Sequence, residues 1–222
     1  MKRILGSTTV LLFHNESTMK LAGIQKLLVC NPFRVYLQRT FEAPRVCSGL
    51  KLPRGCNCIE IGCGCGAGAL CINRFFECSK LICVDSDPDM IACARRYISN
   101  PPKWARPIRT DNIILACEDA THLPYPADSF DAAFLFGVLN SIQDWPRAIK
   151  EAFRVLKRGG IFSFKEALHP ETFFYLSRLF GYVPHITENE LRDSLIEEGF
   201  TISLFEVNRL LPACFVKAVK SS

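Results

Sequence analysis

Residues 58–68 have the sequence CIEIGCGCGAG. The apolar residues that open this stretch predict a buried strand, the glycines predict a tight turn, and a helix follows. Glycine suits such a turn because the backbone must bend sharply and lie close to a ligand. A second apolar strand, Leu81–Val84, ends in Asp85, which lies 21 residues after Gly64. An acid at this spacing is typical of a carboxylate that accepts hydrogen bonds from ribose hydroxyls.

From Asn57 onward, short apolar strands alternate with amphipathic helices. The predicted strands are Cys58–Ile61, Leu81–Asp85, Ile113–Glu118, Phe130–Phe136, Gly160–Lys165, Thr201–Val207 and Ala213–Val219. The predicted helices are Ala67–Phe76, Pro88–Ile98, Trp145–Leu156 and Thr187–Glu198. This alternation predicts an α/β, Rossmann-like, doubly wound fold with a mostly parallel seven-stranded sheet. The short connection between the last two strands predicts an antiparallel C-terminal hairpin at the sheet edge.

The N-terminal part of the chain differs from the rest in charge. Residues 1–54 carry nine Lys and Arg against two Glu, whereas residues 55–222 carry 18 basic and 20 acidic groups. We expect one helix over Thr18–Val29 and another from Asn31, as its N-cap, to about Glu42. The sequence thus predicts a basic N-terminal helical cap, 1–54, before a catalytic domain, 55–222. The cap is either a solvated helix or an arm that meets an anionic membrane, a nucleic acid or an acidic substrate.

Twelve cysteines are an unusually large number for 222 residues. A disulfide scaffold is not expected, because the chain is not short and shows no secretory signal. We therefore expect a reducing, cytoplasmic location, with several thiols acting as small buried apolar side chains. Cys56 and Cys58, like Cys63 and Cys65, are separated by one residue, and no CxxC spacing of the zinc type occurs. No metal site is therefore expected.

Glu60 ends the first predicted strand, directly before the glycines. A dinucleotide fold places a pyrophosphate at the N-terminus of the following helix. A carboxylate at this place would repel a pyrophosphate but could orient a cationic ligand or its ammonium group. Glu60 therefore favours S-adenosylmethionine over NAD, and the alternative that it points at loop N–H groups stays open.

The sequence EIGCGCG at 60–66 resembles the ExGxGxG first motif of class I S-adenosylmethionine-dependent methyltransferases. Further resemblances follow in order: VDSDPDM at 84–90, EDATHLPYP at 118–126, DSFD at 128–131, and RVLKRGG at 154–160, where Arg158 replaces the usual Pro. Together these motifs cover about residues 55–167. The chain is most similar to the ubiquinone-biosynthesis-like group of this family, the methyltransferase type 11 group, whose substrates are diverse.

The resemblance implies a cofactor site at the strand ends. The residues it implies are Glu60, Gly62, Cys63, Gly64, Asp85, Ser86, Asp119, Ala120, Phe136 and Gly137. The glycine loop would pass along the methionine part of the cofactor, and Asp85 would bind the ribose hydroxyls. Asp119 would accept a hydrogen bond from the adenine amino group, and the amide of Ala120 would contact the ring. Phe136 and Gly137 would lie near the methionine carboxylate or sulfonium.

The candidates for catalysis are two residues that follow the fifth predicted strand. Methyl transfer needs a nucleophile in line with the S–CH3 bond, and a general base only where the acceptor must lose a proton. Glu166 and His169 lie near where the substrate should enter. A loop histidine before Pro170 is also often merely exposed, so a role as an ordinary surface residue stays open.

The segment from Pro170 to Pro184 is rich in aromatic residues, and forms either a substrate lid or a helix packed on the sheet. Together with the basic arm, it favours a small apolar or aromatic methyl acceptor, quinone-like or lipid-like, and peripheral membrane contact through the arm. Nucleic acid is not favoured, because the excess charge is small and no stacking motif accompanies it. Two alternatives stay open: an NAD-dependent oxidoreductase, and a non-catalytic S-adenosylmethionine-binding protein.

Overall fold

A computed structural model describes residues 30–168, 186–208 and 213–221. The helix predicted over Thr18–Val29 and the aromatic segment 170–184 lie outside these residues. The described strands are β1 (Asn57–Ile61), β2 (Lys80–Asp85), β3 (Ile113–Cys117), β4 (Phe130–Phe136), β5 (Leu156–Ala167), β6 (Phe200–Asn208) and β7 (Ala213–Lys220). The described α-helices are α1 (Pro32–Leu37), α2 (Ala43–Cys47), α3 (Ala67–Phe76), α4 (Pro88–Ser99), α5 (Trp145–Val155) and α6 (Glu188–Glu197).

All seven strands form one sheet in the order β3-β2-β1-β4-β5-β7-β6. The pairs from β3 to β5 are parallel, and β7 runs antiparallel to both β5 and β6. The predicted doubly wound, mostly parallel sheet with a C-terminal antiparallel hairpin is confirmed. The strand order reverses between β1 and β4, and ligands of such folds bind at the carboxyl ends of the strands at this switch point.

The core lies on both faces of the sheet. Successive side chains of a strand point to opposite faces, and β1 follows this rule: Cys58 packs with α2, α3 and α4, whereas Ile59 packs with α5 and α6. In β4, Phe134 and Leu135 divide in the same way. This two-sided burial explains why β2 and β4 are nearly continuous apolar runs rather than alternating ones.

The N-terminal helix begins as predicted but ends later. The Asn31 side chain accepts a hydrogen bond from the Arg34 amide at 2.8 Å, which confirms the predicted N-cap. The expected end near Glu42 is wrong: a π-helical turn spans Gln38–Glu42, and α2 follows directly. Pro44 has no N–H to donate, and the helix passes this point through wide π-type hydrogen bonds such as that from the Ala43 amide to the Gln38 carbonyl.

A hydrogen bond holds the N-terminal helices against the sheet. The buried hydroxyl of Ser163 in β5 donates to the Val46 carbonyl in α2 at 2.6 Å. The boundary predicted between residues 54 and 55 falls in the mostly exposed stretch 51–55, just before β1. The division of the chain at this boundary stays a prediction.

Candidate active site

The glycine loop, residues 62–66, connects the carboxyl end of β1 to α3. Gly62, Gly64 and Gly66 have φ angles of 71°, 51° and 82°, a left-handed region that other residues rarely adopt. A Cβ atom on Gly62 would lie 2.2 Å from a methyl carbon of Val138, which follows β4. Glycine is therefore required at position 62 both for the turn and for its close packing against the end of β4.

Asp85 fastens this loop to the end of β2. Its Oδ2 atom accepts a hydrogen bond from the Gly64 amide at 2.9 Å, and its Oδ1 atom accepts one from the Asp87 amide at 3.0 Å. The amides of Gly62 and Cys63 donate to the carbonyl of the residue before Asp85, at 2.8 and 2.9 Å. An ionised carboxylate has about four acceptor sites. Asp85 can therefore hold the loop and also accept hydroxyl groups, the role predicted for it.

The predicted adenine segment lies beside Asp85. The first amide after β3 donates to the Asp85 carbonyl at 3.1 Å, which packs this segment against the end of β2. Within it, Oδ1 of Asp119 accepts hydrogen bonds from the amide and hydroxyl of Thr121, at 2.8 and 2.9 Å. Ser86 is exposed, and Ala120 is half-buried. The structure thus brings the predicted ribose and adenine residues to one edge of the sheet.

Charged groups that the sequence reasoning missed meet at the carboxyl end of β4. Nη2 of Arg34 donates to the Phe136 carbonyl at 3.5 Å and lies 2.9 Å from the Glu42 carboxylate. Nζ of Lys165 lies 3.7 Å from the same carboxylate, and the Gly137 amide donates to the Lys165 carbonyl at 2.8 Å. No local sequence pattern joins these residues, because α1 and β5 are distant along the chain.

The side chain of Glu60 lies beneath α3 rather than on the surface of the glycine loop. A Cβ atom on Gly68 would lie 1.9 Å from its Oε1 atom, so the carboxyl group occupies the space that this glycine leaves in the first turn of α3. Burial raises the pKa of Glu60 to about 8, and a hydrogen bond with the Cys83 thiol opposes this rise. Its Oε2 atom has no hydrogen-bond partner within the described part of the chain.

Glu166 is buried and holds the turn after β4. Its Oε2 atom accepts a hydrogen bond from the Leu139 amide at 2.7 Å, and its Oε1 atom accepts from the Asn140 side chain and the Ala167 amide, both at 2.9 Å. Burial raises the pKa of Glu166. The visible role of this carboxyl group is to position the turn, and its predicted role in proton transfer stays a prediction. His169 lies outside the described residues.

The site has the groups that a nucleoside with a cationic amino-acid part requires. The glycine loop allows close approach of the ligand, and Asp85 supplies acceptors for hydroxyl groups. The Oε2 atom of Glu60 is a buried acceptor that an ammonium group would satisfy, and burial of such an atom without a partner is unfavourable. These residues fit S-adenosylmethionine in kind, although the direct contact predicted for Glu60 stays a prediction.

Comparison with known proteins shows which family part of the chain resembles. Residues 59–164 match a family described as "Methyltransferase domain". These residues, a little under half of the chain, therefore resemble a methyltransferase domain. S-adenosylmethionine is the cofactor that this resemblance implies, as the sequence predicted. The matched residues include the glycine loop, Asp85 and the adenine segment.

Two curated relatives act on quinone-type molecules according to their names. A rice (Oryza sativa subsp. japonica) protein, 2-methyl-6-phytyl-1,4-hydroquinone methyltransferase 1, chloroplastic, is 34% identical over 130 residues, which are 57% of this chain and 35% of that protein. A demethylmenaquinone methyltransferase of Symbiobacterium thermophilum is 32% identical over 103 residues, 46% of this chain and 39% of that protein. The chain thus spans well under half the length of either relative.

The structure also resembles solved methyltransferases. One example is a SAM-dependent methyltransferase from Methanosarcina mazei, with a TM-score of 0.63 and 23% identity, covering 77% of this chain and 94% of that chain. At this identity the likeness shows the fold alone. It agrees with the seven-stranded sheet of mostly parallel strands.

The hydrogen bond between Asp85 and the Gly64 amide generates the first prediction. Asp85→Ala removes a charged acceptor from the loop, so we expect the affinity for S-adenosylmethionine to fall about 10- to 100-fold. Calorimetric titration measures this change, and thermal melting checks that the variant is folded. Asp111→Ala, an exposed acid at the other end of the sheet, serves as the control. Unchanged affinity in folded Asp85→Ala would contradict the role assigned to this carboxylate.

The buried Glu60 generates a prediction about pH. Its pKa in the folded chain, about 8, lies above its ordinary value of 4.5, so the folded chain binds more protons than the unfolded chain between these values. Its contribution to stability is therefore present below pH 4.5 and decreases as the pH rises to 8. We expect Glu60→Gln to weaken the pH dependence of the unfolding free energy, measured with urea at pH 5 and pH 8. Glu206→Gln, which changes an exposed acid, is the control and should leave the pH dependence of the unfolding free energy unchanged. Equal pH dependence in Glu60→Gln and wild type would refute the assignment.

Proposed function

We propose that the chain transfers the methyl group of S-adenosylmethionine to a small quinone- or hydroquinone-like acceptor. The observation that carries this proposal is the glycine loop held by Asp85 at the switch point of the sheet. The acceptor class is supported by the curated relatives, whose names refer to a hydroquinone and a menaquinone precursor. It is also supported by the apolar or aromatic acceptor that the sequence predicts.

In this proposal the chain acts mainly by orientation. When bound, S-adenosylmethionine supplies a methyl group on a positively charged sulfur. The loop and Asp85 fix the nucleoside end, while Glu166 holds the turn at Leu139 and Asn140 close to the carboxyl end of β4. Positioning of two reactants in this way contributes on the order of 7–11 kcal/mol in favourable cases.

A proton must leave a carbon or hydroxyl acceptor during methylation, so a general base is required for either. We propose His169 for this role, since it follows Leu168 at the carboxyl end of β5. Glu166 is the second candidate, and its three hydrogen bonds oppose the rise in its pKa that burial causes. Loss of turnover with retained cofactor affinity in His169→Ala would support the first assignment.

We also propose peripheral membrane contact through the N-terminal helices. Phe33, Tyr36 and Phe41 are 69%, 51% and 50% exposed, which is unusual for large side chains so close together. Basic residues accompany them in this part of the chain, and these attract anionic lipid head groups. Within the described ranges, no helix is long and apolar enough to cross a membrane.

We propose a reducing compartment for the protein. All twelve cysteines carry free thiols in the structure, and free thiols persist in reducing compartments. The cytoplasm expected from the sequence stays a prediction, since the name of the rice relative places that protein in the chloroplast.

A titration followed by an acceptor screen tests the main proposal. We expect saturable binding of S-adenosylmethionine and S-adenosylhomocysteine by calorimetry, and no binding of NAD. We then expect methyl transfer to reduced quinones, detected by mass spectrometry of the product. Binding of NAD alone would support the oxidoreductase alternative. Cofactor binding without turnover on any reduced quinone would contradict the proposed acceptor class and favour a non-catalytic binding protein.

Vesicle binding tests the membrane contact. We expect Phe33→Ser to lower binding to anionic phosphatidylglycerol vesicles about 10-fold, because an aromatic side chain contributes roughly 1.5–3 kcal/mol when buried. Phe75→Ser is the matched control, since Phe75 is also exposed but lies on α3. Co-sedimentation measures the bound fraction at low and high salt. Equal binding of Phe33→Ser and wild type would rule out this surface as the contact.

A further inference from the structure

Three thiols meet at the amino end of β1, whereas the glycine loop follows the carboxyl end of the same strand. The Sγ atoms of Cys56 and Cys58 are 3.6 Å apart, and those of Cys56 and Cys78 are 3.8 Å apart. All three sulfur atoms lie within 4.8 Å of one another. The three residues are at most 1% exposed, and we call them the thiol cluster.

The fold, rather than local spacing, builds this cluster. Cys56 precedes β1 and Cys58 lies in it, whereas Cys78 is 22 residues after Cys56, in the turn between α3 and β2. The Ser79 amide donates to the Cys56 carbonyl at 3.0 Å, which holds the two segments together. The buried Asn112 side chain donates to the Cys78 carbonyl at 2.7 Å. The backbone at each sulfur is therefore fixed without any ion.

The distances between the sulfurs match those around a metal ion. Zinc lies about 2.3 Å from each thiolate, so two sulfurs of a tetrahedral site are about 3.8 Å apart. A disulfide would need about 2.05 Å between the same atoms. The distances of 3.6 and 3.8 Å in the thiol cluster agree with this spacing, and the third pair of sulfurs lies within 4.8 Å.

The composition of the cluster selects the kind of ion. Soft thiolate ligands favour Cu(I), Zn(II) and iron–sulfur clusters, whereas carboxylate and carbonyl oxygens favour Mg(II) or Ca(II). No carboxylate or imidazole belongs to the group within the described part of the chain. Apolar core residues surround it, and Lys51, Arg54 and Lys80 are exposed on the adjoining segments.

We propose that Cys56, Cys58 and Cys78 bind one soft d10 metal ion, Zn(II) or Cu(I), as a structural site. The ion replaces the thiol protons, which leave to solvent, and no electron is transferred. Zn(II) takes an exogenous fourth ligand beside the three sulfurs, whereas Cu(I) needs none. The ion ties the start of β1 to the turn before β2, and β1 leads directly to the glycine loop. The site is structural because it lies at the amino ends of the strands, whereas the cofactor site lies at their carboxyl ends.

Metal titration of the full-length protein tests this site. The apo protein, reduced and kept without oxygen, is titrated with Zn(II) and separately with Cu(I), each in competition with a chelator. We expect one tightly held ion per chain, a higher melting temperature, and only sulfur neighbours from protein in the X-ray absorption spectrum. At the zinc edge we expect three sulfurs and one light-atom ligand, and at the copper edge we expect three sulfurs alone. Binding of neither ion would overturn the proposal.

Matched variants separate this site from the other thiols. Cys58→Ala should lose the tight ion, whereas Cys214→Ala should keep it, because Cys214 is equally buried but lies in β7. Cys78→Ser is the conservative second variant, in case Cys58→Ala does not fold. Retained S-adenosylmethionine binding by the apo variants shows that they are folded. An ion retained by folded Cys78→Ser, or lost equally from Cys214→Ala, would overturn the assignment.

Discussion

The hydrogen bond between the Gly64 amide and the Asp85 carboxylate is the interaction on which the site depends. It joins two loops that leave the neighbouring parallel strands β1 and β2, beside the place between β1 and β4 where the strand order reverses. The same loop reaches the third strand, because the missing side chain of Gly62 leaves room for Val138 after β4. Three strand ends are thereby held in one arrangement before any ligand binds. Such preorganisation lowers the entropy lost on binding and on alignment of the reactants.

Two buried carboxyl groups support this arrangement from inside the protein. Glu166 accepts three hydrogen bonds and fixes the turn after β4. Glu60 has fewer donors, and its raised pKa reflects the cost of charge in a buried place. Glu60 nevertheless fits beneath α3 only because residue 68 is a glycine. The two groups show that acids near a cofactor site can serve as internal supports of the loops, in addition to any contact with the ligand.

The two ends of β1 serve different purposes. Its carboxyl end opens into the glycine loop, while its amino end lies among the sulfurs of Cys56, Cys58 and Cys78. The strand between them is buried on both faces and paired on both sides. Three of the twelve cysteines therefore share one place in the fold, at the amino end of the strand that leads to the glycine loop, which composition alone does not reveal.

The sequence by itself determined the elements and their order. Strand alternation, the Asn31 cap and the spacing of Gly64 and Asp85 are local patterns, and each has its predicted place in the structure. Only the tertiary structure decided which distant residues meet. Examples are Arg34 with the Phe136 carbonyl, Gly62 with Val138, and Cys78 with Cys56. The tertiary structure also decided that the N-terminal helix continues past Glu42, because the Ser163 hydroxyl holds α2 against β5. Such contacts depend on how the chain packs across the sheet, and a linear pattern carries no record of that packing.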